Sequence, residues 1–570
     1  MSSIMEKIKG KKKETTPISS PTPVVPSSPL GTPAPLPPAS SSLSPEVPPG
    51  TSSAVDADII IVGGGLSGLA AARRVKELGF SVLVFEAQDR LGGKMHSERL
   101  ERDTFDFGGC FFDAHTHVNL TKLITTLNVP STHIFDRGLN VLQFDNGERH
   151  RYDPRAAPIT SNGIVSGLEA SFAVSKIEDN AKTLNLEAPQ HTQHGALWDA
   201  QSWSTFQNNF NTYPIIASLS TAIRIQSGAE PCELSLLHVL HSVRANRGVE
   251  SWLSMSKGLQ HKFVGGSVSM ISRLAEKIGG TSCIFPNTPV ASIQQGRVTA
   301  RVVTRSGKAY SARFVIMAIP PQLISRMEIV PPIPPAHDQI LQKLCGGYAI
   351  SVVATYRSKW WHEDNLSGMC LSDSGPVSAV FDHSTPAQPA LLFYVFGQKG
   401  RELGYDPDPA NRRRIILRHV ANLLGEEALH PISYKEKDWL ADPWARGGPC
   451  SVVSPGFWSA FGDIMRLQVG KIFFAFSELS TSRPGTMDGA VDAGERAANE
   501  AIQQLRQEKS YLPPASAVLG SAPSHIAPPS PDNSSSSSAP PLGGIALPGR
   551  PAPPLPTRGP SGGLPSSMSS

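Results

Sequence analysis

Three glycines at G-x-G-x-x-G spacing, Gly63, Gly65 and Gly68 in "IIIVGGGLSGLAAARRV", are the first residues whose types and spacing point to chemistry. The first permits a tight turn, the second lets backbone approach a pyrophosphate, and the third lets a helix pack closely on the preceding strand. Ser67 sits inside the pattern, and the helix that follows presents unpaired N–H groups and a positive dipole end to an anion. A second apolar run, "SVLVFE", ends in Glu86, whose carboxylate suits a ribose 2′-hydroxyl and would repel a 2′-phosphate. Beyond it, "DRLGGK" sets Gly92 and Gly93 between Arg90 and Lys94. That second loop can come close to an extended cofactor and brings cations for its phosphates; a simple nicotinamide-binding unit does not need it.

The far end of the chain carries a matching signal. "FFAFSELSTSRPGTMDGAVDAGERAANEA" reads as a buried strand, a turn and a helix start crowded with small residues. Gly489, Ala493 and Ala497, like Ala490, Gly494 and Ala498, recur at i and i+4 and leave bare helix faces for close packing. Phe476 stands in that turn, where a chain folding tightly onto a ligand is expected to use glycine.

Together with "FDFGG" at Gly108 and Gly109, these motifs resemble the flavin-containing amine oxidase family of monoamine and polyamine oxidases, over roughly residues 56 to 508. The resemblance implies non-covalently bound FAD. It also implies a Rossmann-type α/β domain assembled from discontinuous segments, with an inserted α+β substrate domain. Val290 falls where the family lets a valine backbone meet adenine, Glu478 at the family glutamate, and Met487, Asp488 and Gly489 at the helix start facing the flavin pyrimidine. Trp439 matches the family tryptophan beside the flavin.

Phe476, at a position where the family has glycine, is one departure from the pattern, and others accompany it. Ser351 stands where these oxidases usually have a lysine that holds water near flavin N5, so a serine there is expected to anchor water without charge. Thr486 replaces one ring of the aromatic pair that sandwiches the amine, and the other ring falls near Cys450 or Ser451. Without two rings, cation–π orientation of an amine is absent there. Trp439, Trp444, Phe457 and Trp458 are candidate aromatic walls. Pro449 interrupts the spacing at which covalent members attach flavin through cysteine, so Cys450 is expected to line the cavity as a small uncharged residue.

The implied activity is oxidation of an amine C–N bond, with dioxygen as acceptor and hydrogen peroxide as product. Two other readings stay open: a flavin oxidase or dehydrogenase acting on a C–N or C–C bond of a larger metabolite, and a flavin-bound scaffold. Composition narrows the field. Net charge is +4, part of it from "KIKGKKK" at Lys7 to Lys13, and the core has no basic stripe for nucleic acid. Six scattered cysteines without a CxxC pair suit a reduced, cytoplasmic protein without a metal site. No apolar stretch is long enough to span a membrane.

The elements that must position these residues divide the chain. The head, 1–55, and tail, 509–570, are rich in Pro and Ser and are expected to be disordered, with "PAPPLPTRGP" a polyproline-II candidate. The cofactor domain takes 56–127, 259–330 and 442–508; a helix-rich insertion takes 128–258, and a mixed sheet takes 331–441. Arg412 to Arg414, in the helical run "NRRRIILRHVANLLG", are expected on a solvated face.

Overall fold

The apolar run Ile59–Val62 lies in strand β1 (Ala57–Val62), buried on both faces as a central parallel strand must be. The computed structural model describes residues 55–134, 137–154, 167–210, 213–253 and 260–511. The Pro/Ser-rich head up to residue 54 and tail from residue 512, with the lysine run and the polyproline stretch, lie outside the described residues.

From β1 the chain turns through the glycine loop into helix α1 (Leu66–Glu77) and returns along β2 (Val82–Phe85), which runs parallel to β1. Leu69, Ala70, Ala72 and Val75 are buried on α1, as their spacing predicts, and Gly79 takes a left-handed φ of 84° just past its end. The same sheet then collects distant pieces: β3 (Ile284–Phe285), β4 (Val290–Gln295), β5 (Ala300–Thr304), β6 (Ala309–Met317), β7 (Glu328–Val330) and β8 (Ile472–Phe474). Its order is β3-β2-β1-β6-β5-β4-β7. The N-terminal part of β6 pairs with β5, and its end, Val315–Met317, pairs in parallel with β8. A turn at residues 305–307 joins β5 to β6 as an antiparallel hairpin.

A second, seven-stranded sheet runs Ser433–Asp438, Ala349–Thr355, Ala390–Phe396, Ala379–Asp382, Leu366–Ser372, Leu139–Gln143 and Arg149–Tyr152. Its last two strands come from the segment expected to be helix-rich. That segment does contain helices, among them Tyr213–Ser227 and α3 (Leu236–Ala245). Short strands between turns carry too little periodicity to separate from loop. In the arginine run Arg413 and Arg414 are exposed, the Arg413 guanidinium lying over the Tyr434 ring at 5.2 Å, whereas Arg412 is half-buried and pairs with Glu436.

Helix α2 (Val118–Thr126) and the long C-terminal helix α4 (Met487–Tyr511) complete the frame. The small residues of α4 now have a partner: a Cβ on Gly494 would stand 2.2 Å from the Ser67 carbonyl oxygen, so α4 lies directly on the start of α1. Two loops far apart in sequence are thereby brought together.

Candidate active site

Backbone geometry shapes the glycine loop more than side chains do. Gly63 adopts φ 111°, and a Cβ there would meet the Ala318 carbonyl oxygen at 2.5 Å. At Gly68 a Cβ would stand 2.0 Å from the Gly63 carbonyl oxygen, so bare backbone is what lets α1 close onto the loop. Gly65 differs from both, since the nearest atom to its would-be Cβ is the Gly93 Cα at 3.9 Å. Its bare face opens onto a cavity of about 860 Å³, and the Gly92–Gly93 loop forms the neighbouring wall, its Gly92 N–H donating to the Gly64 carbonyl at 2.9 Å.

Glu86 lines this cavity and accepts hydrogen bonds from the N–H groups of Gly64 at 2.6 Å and Gln88 at 2.8 Å. Burial pushes its carboxyl above the usual range, against the pull of those N–H groups and of Arg90. Arg90 stands behind the lining: one guanidinium nitrogen donates to the Gly93 carbonyl at 3.0 Å, while Nη1 is buried without a partner. The Ser67 hydroxyl is engaged by the Ala475 carbonyl, which ties α1 to the end of β8.

Farther along the cavity, Gly108 and Gly109 let the chain slip between neighbours. A Cβ on Gly108 would meet the Lys94 carbonyl oxygen at 1.9 Å and the Trp439 ring at 3.2 Å, and one on Gly109 the Met487 sulfur at 3.2 Å. Lys94 donates to the Pro449 carbonyl at 3.1 Å and attracts buried Glu478, whose carboxylate accepts from the Ser451 N–H at 2.8 Å and hydroxyl at 2.7 Å. Against its burial, these partners hold the Glu478 carboxyl below its usual range. Lys94, Val290, Trp439, Glu478, Thr486 and Met487 all reach the cavity.

Several expected residues are placed elsewhere. Ser351 is fully buried behind the wall, and its hydroxyl accepts from the Trp439 indole N–H at 3.1 Å. The water-anchoring place expected for it is therefore not where its hydroxyl points. Asp488 is also fully buried: its carboxylate accepts from the Leu120 N–H at 2.9 Å and from Asn119 and Ser482, so it caps α2 instead of facing the cavity. Gly489 packs against the Arg483 carbonyl, which a Cβ would meet at 2.4 Å. Phe476 has extended backbone, φ −74° and ψ 148°, so no glycine is required there; its buried ring lines the cavity beside Phe474 at 6.2 Å. Phe457 and Trp458 belong to the core, whereas Trp444 reaches the cavity and carries Arg305 over its ring at 5.0 Å.

Sequence reasoning missed other lining residues. Tyr394 stacks on Phe396 with ring centroids 5.2 Å apart and donates a long hydrogen bond to the Gly108 carbonyl at 3.4 Å. Its alternation with Phe396 along one strand was the available signal. His117 and Arg483, far apart in sequence, meet at 2.6 Å on the cavity wall, and no local pattern announces that pairing.

The residues present fit an extended flavin dinucleotide: bare backbone at Gly65 and Gly93, a carboxylate at Glu86, the α1 and α4 N-termini, and an orphaned guanidinium N–H at Arg90. The comparisons agree. The profile of the flavin-containing amine oxidoreductase family matches residues 66–502, and the chain belongs to that family. It is 30% identical to a probable flavin-containing monoamine oxidase A of Dictyostelium discoideum over 79% of this chain and 99% of that one. It is 31% identical to an L-amino acid dehydrogenase of Synechocystis over 79% and 95%. Among solved structures, cyclohexylamine oxidase from Brevibacterium oxydans superposes with a TM-score of 0.74 at 26% identity, covering 79% of this chain and all of that one. The protein is an FAD-dependent oxidoreductase with the Rossmann-type fold of this family.

Proposed function

We propose that the protein oxidises the C–N bond of an amine to an imine, with dioxygen reduced to hydrogen peroxide, and that water then converts the imine to a carbonyl compound and ammonia or a smaller amine. The observation that carries this reading is one continuous cavity. It runs from the glycine cradle at Gly63 and Gly65 to a chamber walled by Tyr394, Phe396 and Trp439.

FAD, when bound, supplies a ring that accepts a hydride equivalent from the substrate. The chain's residues bind, orient and exclude water. In this reading the Gly65 N–H and the α1 N-terminus take the pyrophosphate, the Gly63 and Gly64 N–H groups being held by the Phe85 carbonyl and by Glu86, with Gly92 and Gly93 opposite and Arg90 adding positive charge. Glu86 takes the ribose and the Val290 backbone meets adenine. The α4 N-terminus at Met487 favours negative charge at the flavin pyrimidine. Lys94 and Glu478 form a local pair beside Trp439 and Cys450. Trp439, fixed by Ser351 and by its own N–H to the Ala349 carbonyl at 3.1 Å, forms a rigid wall for substrate.

Attachment of the flavin is read as non-covalent, because burial and Glu478 push the Cys450 thiol up to about 12 and deny it thiolate character. A cytoplasmic location is supported by six cysteines that are all free thiols. Anaerobic mixing of the purified holoenzyme with a panel of amines tests the reaction. Bleaching of the flavin, then peroxide on admitting oxygen, is the expected result. Bleaching only by donors without a nitrogen would transfer the activity to another bond.

A further inference from the structure

Arg483 is a buried cation on the cavity wall that, among the described residues, hydrogen-bonds no carboxylate; Asp488 and Asp113 attract it without bonding it. Its side chain is 4% exposed, yet it reaches the cavity. Its hydrogen-bond partners among the described residues are the Ser251 hydroxyl at 2.9 Å and the His117 ring at 2.6 Å, neither of them anionic. Nε is buried with no partner. Of the neighbouring cations, Lys94 donates to the Pro449 carbonyl and attracts Glu478, and Arg305 lies over the Trp444 face.

The His117 contact is itself incomplete. Nδ1 of His117 accepts the Asp113 N–H at 2.7 Å, so a neutral ring carries its proton on Nε2, the atom facing the guanidinium N–H. Burial and Arg483 hold His117 neutral, its pKa lowered to about 3. Two donors therefore face one another with no acceptor between them, in a place where leaving a buried donor unmet is costly. An oxyanion beside them would accept from Nη1 of Arg483 and Nε2 of His117 at once, and a charge-assisted contact with guanidinium is the strongest kind available. The position fits substrate: Arg483 opens the turn closed by Thr486, whose hydroxyl donates to the Arg483 carbonyl at 2.7 Å, next to Met487 at the α4 start.

We propose that Arg483, with His117, binds the carboxylate of the substrate, so that the amine oxidised is an amino acid. This rests on the amine-oxidation reading and sharpens it: Thr486 has no ring with which to hold an ammonium group, and recognition passes to the carboxylate.

Matched pairs test it: phenylalanine against phenethylamine, and leucine against 3-methylbutylamine, assayed with wild type, Arg483→Gln and Arg483→Lys holoenzymes. Wild type should prefer the carboxylated member of each pair. Arg483→Gln should lose about 100-fold in kcat/KM for that member only, and Arg483→Lys should recover part of it. A second arm uses benzoate, which has no amine. Benzoate should perturb the flavin absorbance of wild type, competitively with phenylalanine, and not that of Arg483→Gln, whereas benzyl alcohol should do neither. Preference for the plain amines, an equal loss for both members, failure of benzoate to bind, or loss of FAD from Arg483→Gln would each overturn the proposal; the last would assign the guanidinium to the cofactor. The benzoate arm reports on the anion site even if no amine bleaches the flavin, so failure of the anion site and failure of amine oxidation are told apart.

Discussion

The indole N–H of Trp439 donates to the hydroxyl of Ser351 at 3.1 Å, and the ring so held is covered by the Lys437 ammonium 4.8 Å from its centroid. Ser351 thus acts on the cavity through another side chain. Ser351→Ala leaves a buried N–H unmet, which costs about 1–3 kcal/mol. The expected outcome is a lower denaturation midpoint at unchanged slope, with altered tryptophan fluorescence. An unchanged midpoint would mean the indole finds another acceptor.

Gly65 and Gly68 should behave differently although they belong to one motif. A Cβ on Gly68 collides with protein backbone at 2.0 Å, so Gly68→Ala damages the fold itself. A Cβ on Gly65 meets no protein atom closer than 3.9 Å. Gly65→Ala should leave the apoprotein as stable as wild type within about 0.5 kcal/mol while weakening FAD at least about tenfold, about 1.4 kcal/mol. Thermal melts of apoprotein and a flavin titration separate the two effects.

Cys450 provides a test of attachment. With its thiol held near pKa 12, acid precipitation of the holoenzyme should leave the flavin in the supernatant, and Cys450→Ser should retain bound FAD. Flavin that stays with the precipitated wild type but not with the variant would show a thioether.

Acid should weaken the fold before the carboxylates titrate. Burial lowers His117, His241 and His383 to about 3, and His238 and His419 to about 4, from an ordinary 6.5. Between those values and 6.5 the unfolded chain binds more protons than the folded one, so this stability is complete above pH 6.5 and is lost as pH falls. Each such histidine contributes a slope of about 1.4 kcal/mol per pH unit. Glu86 and Asp106, raised by burial, run in the opposite sense and soften the slope. Melting temperature should be level from pH 7 to 8 and fall from pH 6.5 to 5; a flat profile there would show these rings already exposed.

The glycine signals at both ends of the chain were legible because they impose backbone demands that few residues meet, and the bare faces of α4 because they repeat at helical spacing. What stayed hidden depends on side-chain direction. Ser351 and Asp488 sit at the expected places in sequence, but one reaches Trp439 and the other caps α2 at Leu120. Phe476 looked wrong for a turn, yet its backbone is extended and its ring fills space. Arg483 and His117 are separated by more than 360 residues, and only the packing of α4 beside α2 makes them neighbours.

The central claim is an FAD-binding oxidoreductase that takes electrons from an amine. Its most direct test is the absorbance spectrum of the purified protein, recorded without oxygen before and after adding amines and amino acids, with the released cofactor then identified. A bound flavin that is FAD and is bleached by at least one amine or amino acid is the predicted result. A colourless protein, or FAD that every amine and amino acid leaves oxidised, would contradict it.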